Sequence, residues 1–116
     1  MDAAYSDKML NLAIPSDIRG QRFAYACISS GIKSSSAVIK AGVGILVDVL
    51  VYTDGTNNGT VTIYDNAIAA SGHVLAKEVV KGEFLQGGEV NILCNCDNGL
   101  YMELSGTGAT AIVRYA

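Results

Sequence analysis

The chain has 116 residues, half of them hydrophobic and only 16% charged, with a net charge of −3. That is enough for one core but not for two, and with no basic block it argues against a nucleic-acid groove. No run approaches the roughly 18–20 apolar residues of a membrane-spanning helix, and Met1–Gly20 has no charged start followed by an apolar core of the kind a secretion signal needs. Three cysteines, Cys27, Cys94 and Cys96, read as reduced thiols rather than a disulfide framework. So apolar a composition predicts that some surface is buried against another subunit. The bland alternative is a well-filled core rich in small Ala and Val.

Residues 1–22 differ from the rest of the chain. Charges of both signs are scattered through them (Asp2, Asp7, Lys8, Asp17, Arg19, Arg22), and Pro15 interrupts any regular element. The short apolar pieces Met9-Leu10 and Leu12-Ala13-Ile14 suggest an extended N-terminal arm that docks on something, with one helical turn around Asp7–Leu12 as an option. A frayed terminus is the plain alternative.

From Phe23 the sequence reads as strand after strand, forming one domain over 23–116. Phe23–Ser29 alternates, Ser30–Ser35 is a loop and Ser36–Lys40 a short strand. Val43–Thr53 is the longest, with Ile45, Val47, Val49 and Val51 on one face and Leu46, Asp48, Leu50 and Tyr52 on the other. Both faces are largely apolar, so this strand is expected to be central or to lie under another chain. Leu46, Leu50 and Tyr52 are the candidate contacts, together with Met9, Leu10, Leu12 and Ile14 of the arm. The turn Asp54–Gly59 is rich in residues that tolerate positive φ and predicts a hairpin with Thr60–Tyr64. Asp65–Gly72 is a loop, His73–Val80 a strand and Lys81–Gly88 irregular. Glu89–Asn95, Leu100–Leu104 and Ala109–Tyr115 complete the set. About eight strands at short spacing, with turn residues between them, predict an all-β antiparallel β-sandwich of jelly-roll type.

Residues that could carry chemistry are sparse. His73 is the single histidine and has no acidic neighbour or nucleophile motif beside it. Cys94-Asn95-Cys96 is closer spaced than paired zinc ligands normally are, and only Cys27 and His73 remain to complete a site. Two small apolar residues in a core strand explain the pair better. Asp54, Thr56, Asn58, Gly59 and Asp65 match the spacing of a calcium loop, but strands flank them, and the bidentate Glu of the last position is missing. The glycine runs lack the Lys-Ser/Thr ending of a phosphate loop. Tyr52, Tyr64, Tyr101 and Tyr115 offer a sugar-stacking platform or, more simply, core and interface packing. The expectation is therefore a binding protein with no cofactor, no metal and no enzymatic activity.

Two phrases carry a resemblance. Tyr52–Asp65 (YTDGTNNGTVTIYD) and Asn98–Ala109 (NGLYMELSGTGA) resemble segments that recur, in this order, in small structural proteins of tailed bacteriophages. Ser71-Gly72 and Ala111–Tyr115 fall where that order places a loop and a final strand, so the likeness covers about two thirds of the chain, from Gly42 onward. It implies a compact virion β-sandwich, either a head-decoration (cement) protein or a head–tail or tail accessory. Such proteins are usually oligomeric, often trimeric, and bind major capsid or other virion proteins. No catalytic residue comes with the resemblance. Cys94 and Cys96 depart from it, because ordinary apolar residues are expected there, and the arm has no counterpart. A carbohydrate-binding host-adhesion module is the alternative reading.

Overall fold

The computed structural model describes residues 27–116. The arm over 1–22, its helical option and the first part of the Phe23–Ser29 strand lie outside the described residues. Within them the chain forms nine strands: β1 (Ile28–Ser29), β2 (Ala37–Ala41), β3 (Gly44–Tyr52), β4 (Gly59–Tyr64), β5 (Val74–Val80), β6 (Gln86–Glu89), β7 (Cys94–Cys96), β8 (Gly99–Ser105) and β9 (Thr110–Tyr115). No helix occurs among the described residues.

The strands divide into two antiparallel sheets that pack face to face. The first runs β1-β9-β3-β6, with β7 continuing along the same edge of β3, and the second runs β2-β8-β4-β5. If β6 and β7 count as one interrupted strand, the pairs are nested: β4 with β5, β3 with β6/β7, β2 with β8 and β1 with β9. The chain is one long hairpin, bent repeatedly and rolled into two layers. That is the jelly-roll arrangement the strand count predicted.

The core lies between the layers. Leu46, Val49, Val51 and Val113 from the first sheet meet Val61, Ile63, Leu100 and Met102 from the second, each essentially inaccessible to solvent. β-branched residues supply most of it, as suits side chains standing on a pleated surface.

Three sequence expectations are corrected. The segment Ile45–Asp65 is not a hairpin, because β3 and β4 belong to different sheets. β3 has β9 on one side and β6 and β7 on the other, whereas β4 lies between β5 and β8. Val49 and Val51 therefore face Val61 and Ile63 across the core, and the link Thr53–Asn58 arches from one layer to the other. The true hairpin is β4–β5, with its tip at 65–73.

The second correction concerns β3. Its pairing with β9 shifts between Leu46 and Asp48, so Val47 and Asp48 together oppose Arg114. This β-bulge reverses the alternation of the strand. Leu46, Val49 and Val51 consequently all point inward, which a regular strand would forbid, while Asp48, Leu50 and Tyr52 stay on the outer side. The expected grouping of Leu46 with Leu50 and Tyr52 does not hold.

Third, Glu89–Asn95 is not one strand. Gln86–Gly88, read as irregular, pair with β3, and the ladder then breaks over 90–93, where Asn91 and Leu93 take positive φ values of 57° and 50°. The break lies opposite the β3 bulge, where Ile92 N–H donates to the Val47 carbonyl at 2.8 Å. Two irregularities face each other and keep both flanking segments in register.

Candidate functional site

The outer face of the first sheet is built on Leu50, Tyr52 and their cross-strand neighbours. Ile112 pairs with Leu50 and Thr110 with Tyr52 on one side, Gly88 with Leu50 and Gln86 with Tyr52 on the other. Leu50, Tyr52 and Ile112 are each half-buried. Ile32, 72% exposed, immediately precedes Lys33, which bridges to Ala111, and so extends the apolar surface towards the β1 edge.

A shallow trough of about 200 Å³ opens on this face, lined by Leu50, Tyr52, Gln86 and Gly87. The Gln86-Gly87 edge of β6 forms one side of it. A Cβ on Gly88 would run into the Val49 carbonyl oxygen, and one on Gly87 would press on Val80. Backbone approach therefore demands glycine at 88, whereas a Cβ on Gly87 would point to the core side, as its partner Val51 does. The trough lies on the outer side, between the β6 backbone and the large side chains of Leu50 and Tyr52.

At the other end of this face sits a buried charge. Asp48, 7% exposed, accepts from Arg114 Nη2 at 2.7 Å through Oδ2 and from the Asn91 N–H at 2.8 Å through Oδ1. The pair holds the two irregular segments together. Both carboxylate oxygens are thus engaged in holding the fold.

The second sheet has its own outer row. Val38 pairs with Tyr101, Tyr101 with Tyr64 and Tyr64 with Val74, so four residues cross all four strands. Val38 and Val74 are each 45% exposed, and the Tyr64 hydroxyl donates to Glu103 Oε1 at 3.0 Å. That bond and the nearby carboxylate hold the phenol protonated to higher pH than usual. The four tyrosines named from the sequence therefore do not form one platform. Tyr64 and Tyr101 stand together here, Tyr52 is on the opposite sheet, and Tyr115 packs against the core.

The remaining candidates serve turns or the core. Asp54 Oδ1 accepts the N–H groups of Thr56 and Asn57 at 2.8 and 2.7 Å, and Oδ2 accepts from Asn57 Nδ2. The backbone N–H of Asn57, then that of Thr56, lowers its pKa from the ordinary carboxylate value. Asp65 accepts from Asn98 N–H at 2.8 Å and from Asp97 and Gly99, closing the β7–β8 turn, and these amides, Asn98 first, lower its pKa too. The two aspartates are thus committed to different turns, and no cluster of three His, Cys, Asp or Glu side chains that could hold a metal occurs among the described residues.

Cys96 is buried in the core and burial pushes its thiol up. Cys94 is half-buried beside it on the same strand, whereas Cys27, next to β1, is separated from β7 by β9 and β3. His73 is exposed at the β4–β5 tip. Cys94, Cys96, Cys27 and His73 do not form a ligand cluster among the described residues.

Of the predicted contact residues, Leu50 and Tyr52 line the trough, Leu46 lies in the core with no exposed surface, and Met9, Leu10, Leu12 and Ile14 lie outside the described residues. The sequence shows 81–88 as an irregular, glycine-rich stretch without marking it as part of a site, and it offers Tyr64 and Tyr101 without their neighbours Val38 and Val74. The double glycine beside Gln86 was the available signal for the trough's edge.

No protein-family model, curated protein or solved structure matches this chain.

Proposed function

We propose that this chain is a non-enzymatic structural protein of a tailed-phage virion, a head-decoration (cement) protein that binds neighbouring major capsid subunits. It works as a homo-oligomer, a trimer by the family resemblance, and is assembled into the virion in the bacterial cytoplasm. The observation that carries the reading is the outer face of the first sheet. A rigid two-layer body presents Leu50, Tyr52 and Ile112 around a shallow trough, a preorganised apolar surface whose groups lose little entropy on binding. The phrases that resemble phage proteins supply the end of β3, the arch, β4 and β8, and thus much of the framework beneath it.

The test is sedimentation with shells assembled from the major capsid protein of the same virus. The protein is expected to pellet with them and to raise their melting temperature. Protein left in the supernatant at micromolar concentration would overturn the reading.

The Tyr64–Tyr101 row favours a second reading, a carbohydrate-binding adhesion module. Two neighbouring aromatic side chains with a carboxylate at hand suit a sugar ring. Retention on glycan beads that is lost on Tyr101→Ala, with no retention on shells, would establish it in place of the first. A tail accessory would instead pellet with tails.

A further inference from the structure

The trough on the first sheet needs an occupant, and the path of the chain indicates one. β1 runs antiparallel to β9, with Ile28 opposite Tyr115, so Cys27 emerges at the end of the sheet where β9 finishes. The trough lies at the other end, beside Tyr52 and its partner Thr110. The five residue steps from Thr110 to Tyr115 amount to about 17 Å. Traced backward from β1, the chain therefore leaves the sheet heading away from its own trough.

Residues 1–26 precede this point. Among them Met9, Leu10, Leu12 and Ile14 form a cluster of large aliphatic side chains. The thirteen residue steps from Ile14 to Cys27 can span about 45 Å when extended, well beyond the end of the sheet. To fill its own trough the segment would have to reverse and run back along the whole face. An outward course would instead bring the same side chains to a neighbouring molecule. A gap of about 200 Å³ between the Gln86-Gly87 edge and the side chains of Leu50 and Tyr52 suits an aliphatic side chain, being larger than the roughly 150 Å³ cavity that accepts benzene.

We propose that residues 9–14 of one copy dock in the Leu50–Tyr52–Gln86–Gly87 trough of the next. Such a contact is head-to-tail, and a head-to-tail contact repeated with a closing rotation produces a ring. The inference rests on the homo-oligomer part of the proposed function and supplies its contact. Burial of the apolar anchors offsets the backbone entropy lost in ordering the segment.

The test uses the full chain carrying Cys27→Ser, Cys94→Ser and Asn11→Cys, with a nitroxide on the new thiol; Cys96 is buried. This chain, without isotope, is mixed with an equal amount of ¹⁵N-labelled unmodified chain. The expected result is strongest broadening of the Leu50, Tyr52, Gln86 and Gly87 amides in the labelled copy, with weaker broadening of Val61 and Met102 in the sheet behind them. Broadening seen only when nitroxide and ¹⁵N share one chain would place the segment on its own body and overturn the proposal. An oligomer by light scattering without broadening would overturn the docking while leaving the oligomer standing, and a monomer would overturn both. The triple change Leu10→Ser, Leu12→Ser and Ile14→Ser is expected to give a folded protein with the mass of a single chain; an oligomer of unchanged mass would count against the proposal.

Discussion

Asp48 and Arg114 form an ion pair of 2.7 Å across the bulge of β3, and the Asn91 N–H donates to the other carboxylate oxygen at 2.8 Å. One side chain thereby fastens the central strand, the last strand and the interrupted edge. Arg114→Met removes one partner and leaves the carboxylate half satisfied, at a cost of about 1–3 kcal/mol. Because the arginine side chain is 40% exposed, the lower part of that range is expected. Asp48→Ala also strands the Asn91 N–H and should cost more. In urea unfolding the double variant should lose less than the sum of the two single changes, as contacting residues do. Full additivity would show that the pair does not act as a unit.

Asp54 and Asp65 are expected to contribute to stability on the acid side. Both have folded pKa values depressed by turn amides. Their contribution is therefore complete above the ordinary carboxylate value of 3.8 and is lost as pH falls through the lower folded values. Asp65→Asn should flatten the acid side of the melting-temperature profile while leaving a lower plateau at neutral pH. A variant that melts like the unmodified protein at every pH would show that the β7–β8 turn does not depend on this carboxylate.

Leu46 and Leu50, four residues apart on one strand, should respond differently to the same change. Leu46 is inaccessible in the core, so Leu46→Glu should abolish folding, and the milder Leu46→Ala should cost about 2–5 kcal/mol. Leu50 is half-buried on the outer face, so Leu50→Glu should leave the circular dichroism of a β protein intact and reduce the mass seen by light scattering to one chain. An unfolded Leu50→Glu protein would mean that the outer face is part of the core. A monomeric unmodified protein at micromolar concentration would remove the basis for the association.

Chelation gives a fourth check. The carboxylates of Asp54 and Asp65 are already engaged by backbone amides in separate turns. A metal-free buffer with chelator is expected to leave the melting temperature where it was. A drop of several degrees that calcium restores would show that the 54–65 segment is a cation site.

The all-β class, the strand count and most strand positions were legible because apolar alternation and turn residues repeat at short intervals. Layer assignment was less so. Asn58-Gly59 looks like the centre of a hairpin, but the Asn58 side chain accepts the Gly82 N–H at 3.0 Å and Gly59 already belongs to β4. Alternation also misled at Val47-Asp48, since a bulge adds one residue to the period without changing composition. Glu89–Asn95 keeps an alternating pattern through a break set by backbone geometry at Asn91 and Leu93. On the candidate site, alternation named Leu50 and Tyr52 as contacts but left open which face of β3 is covered, and the trough beside them involves the Gln86-Gly87 backbone, which a search for apolar residues overlooks.

Nesting of the strand pairs also dictates an order in time. β4 and β5 are separated by a short tip, but β1 meets β9 only after nearly the whole described chain has been made. Loop closure is cheapest at the tip and grows costlier with each outer pair, so assembly should start at β4–β5 and zip outward, slowly for so small a domain because most contacts are distant in sequence. The β1–β9 edge, from which the N-terminal segment departs, is then the last to form during folding and the first to open.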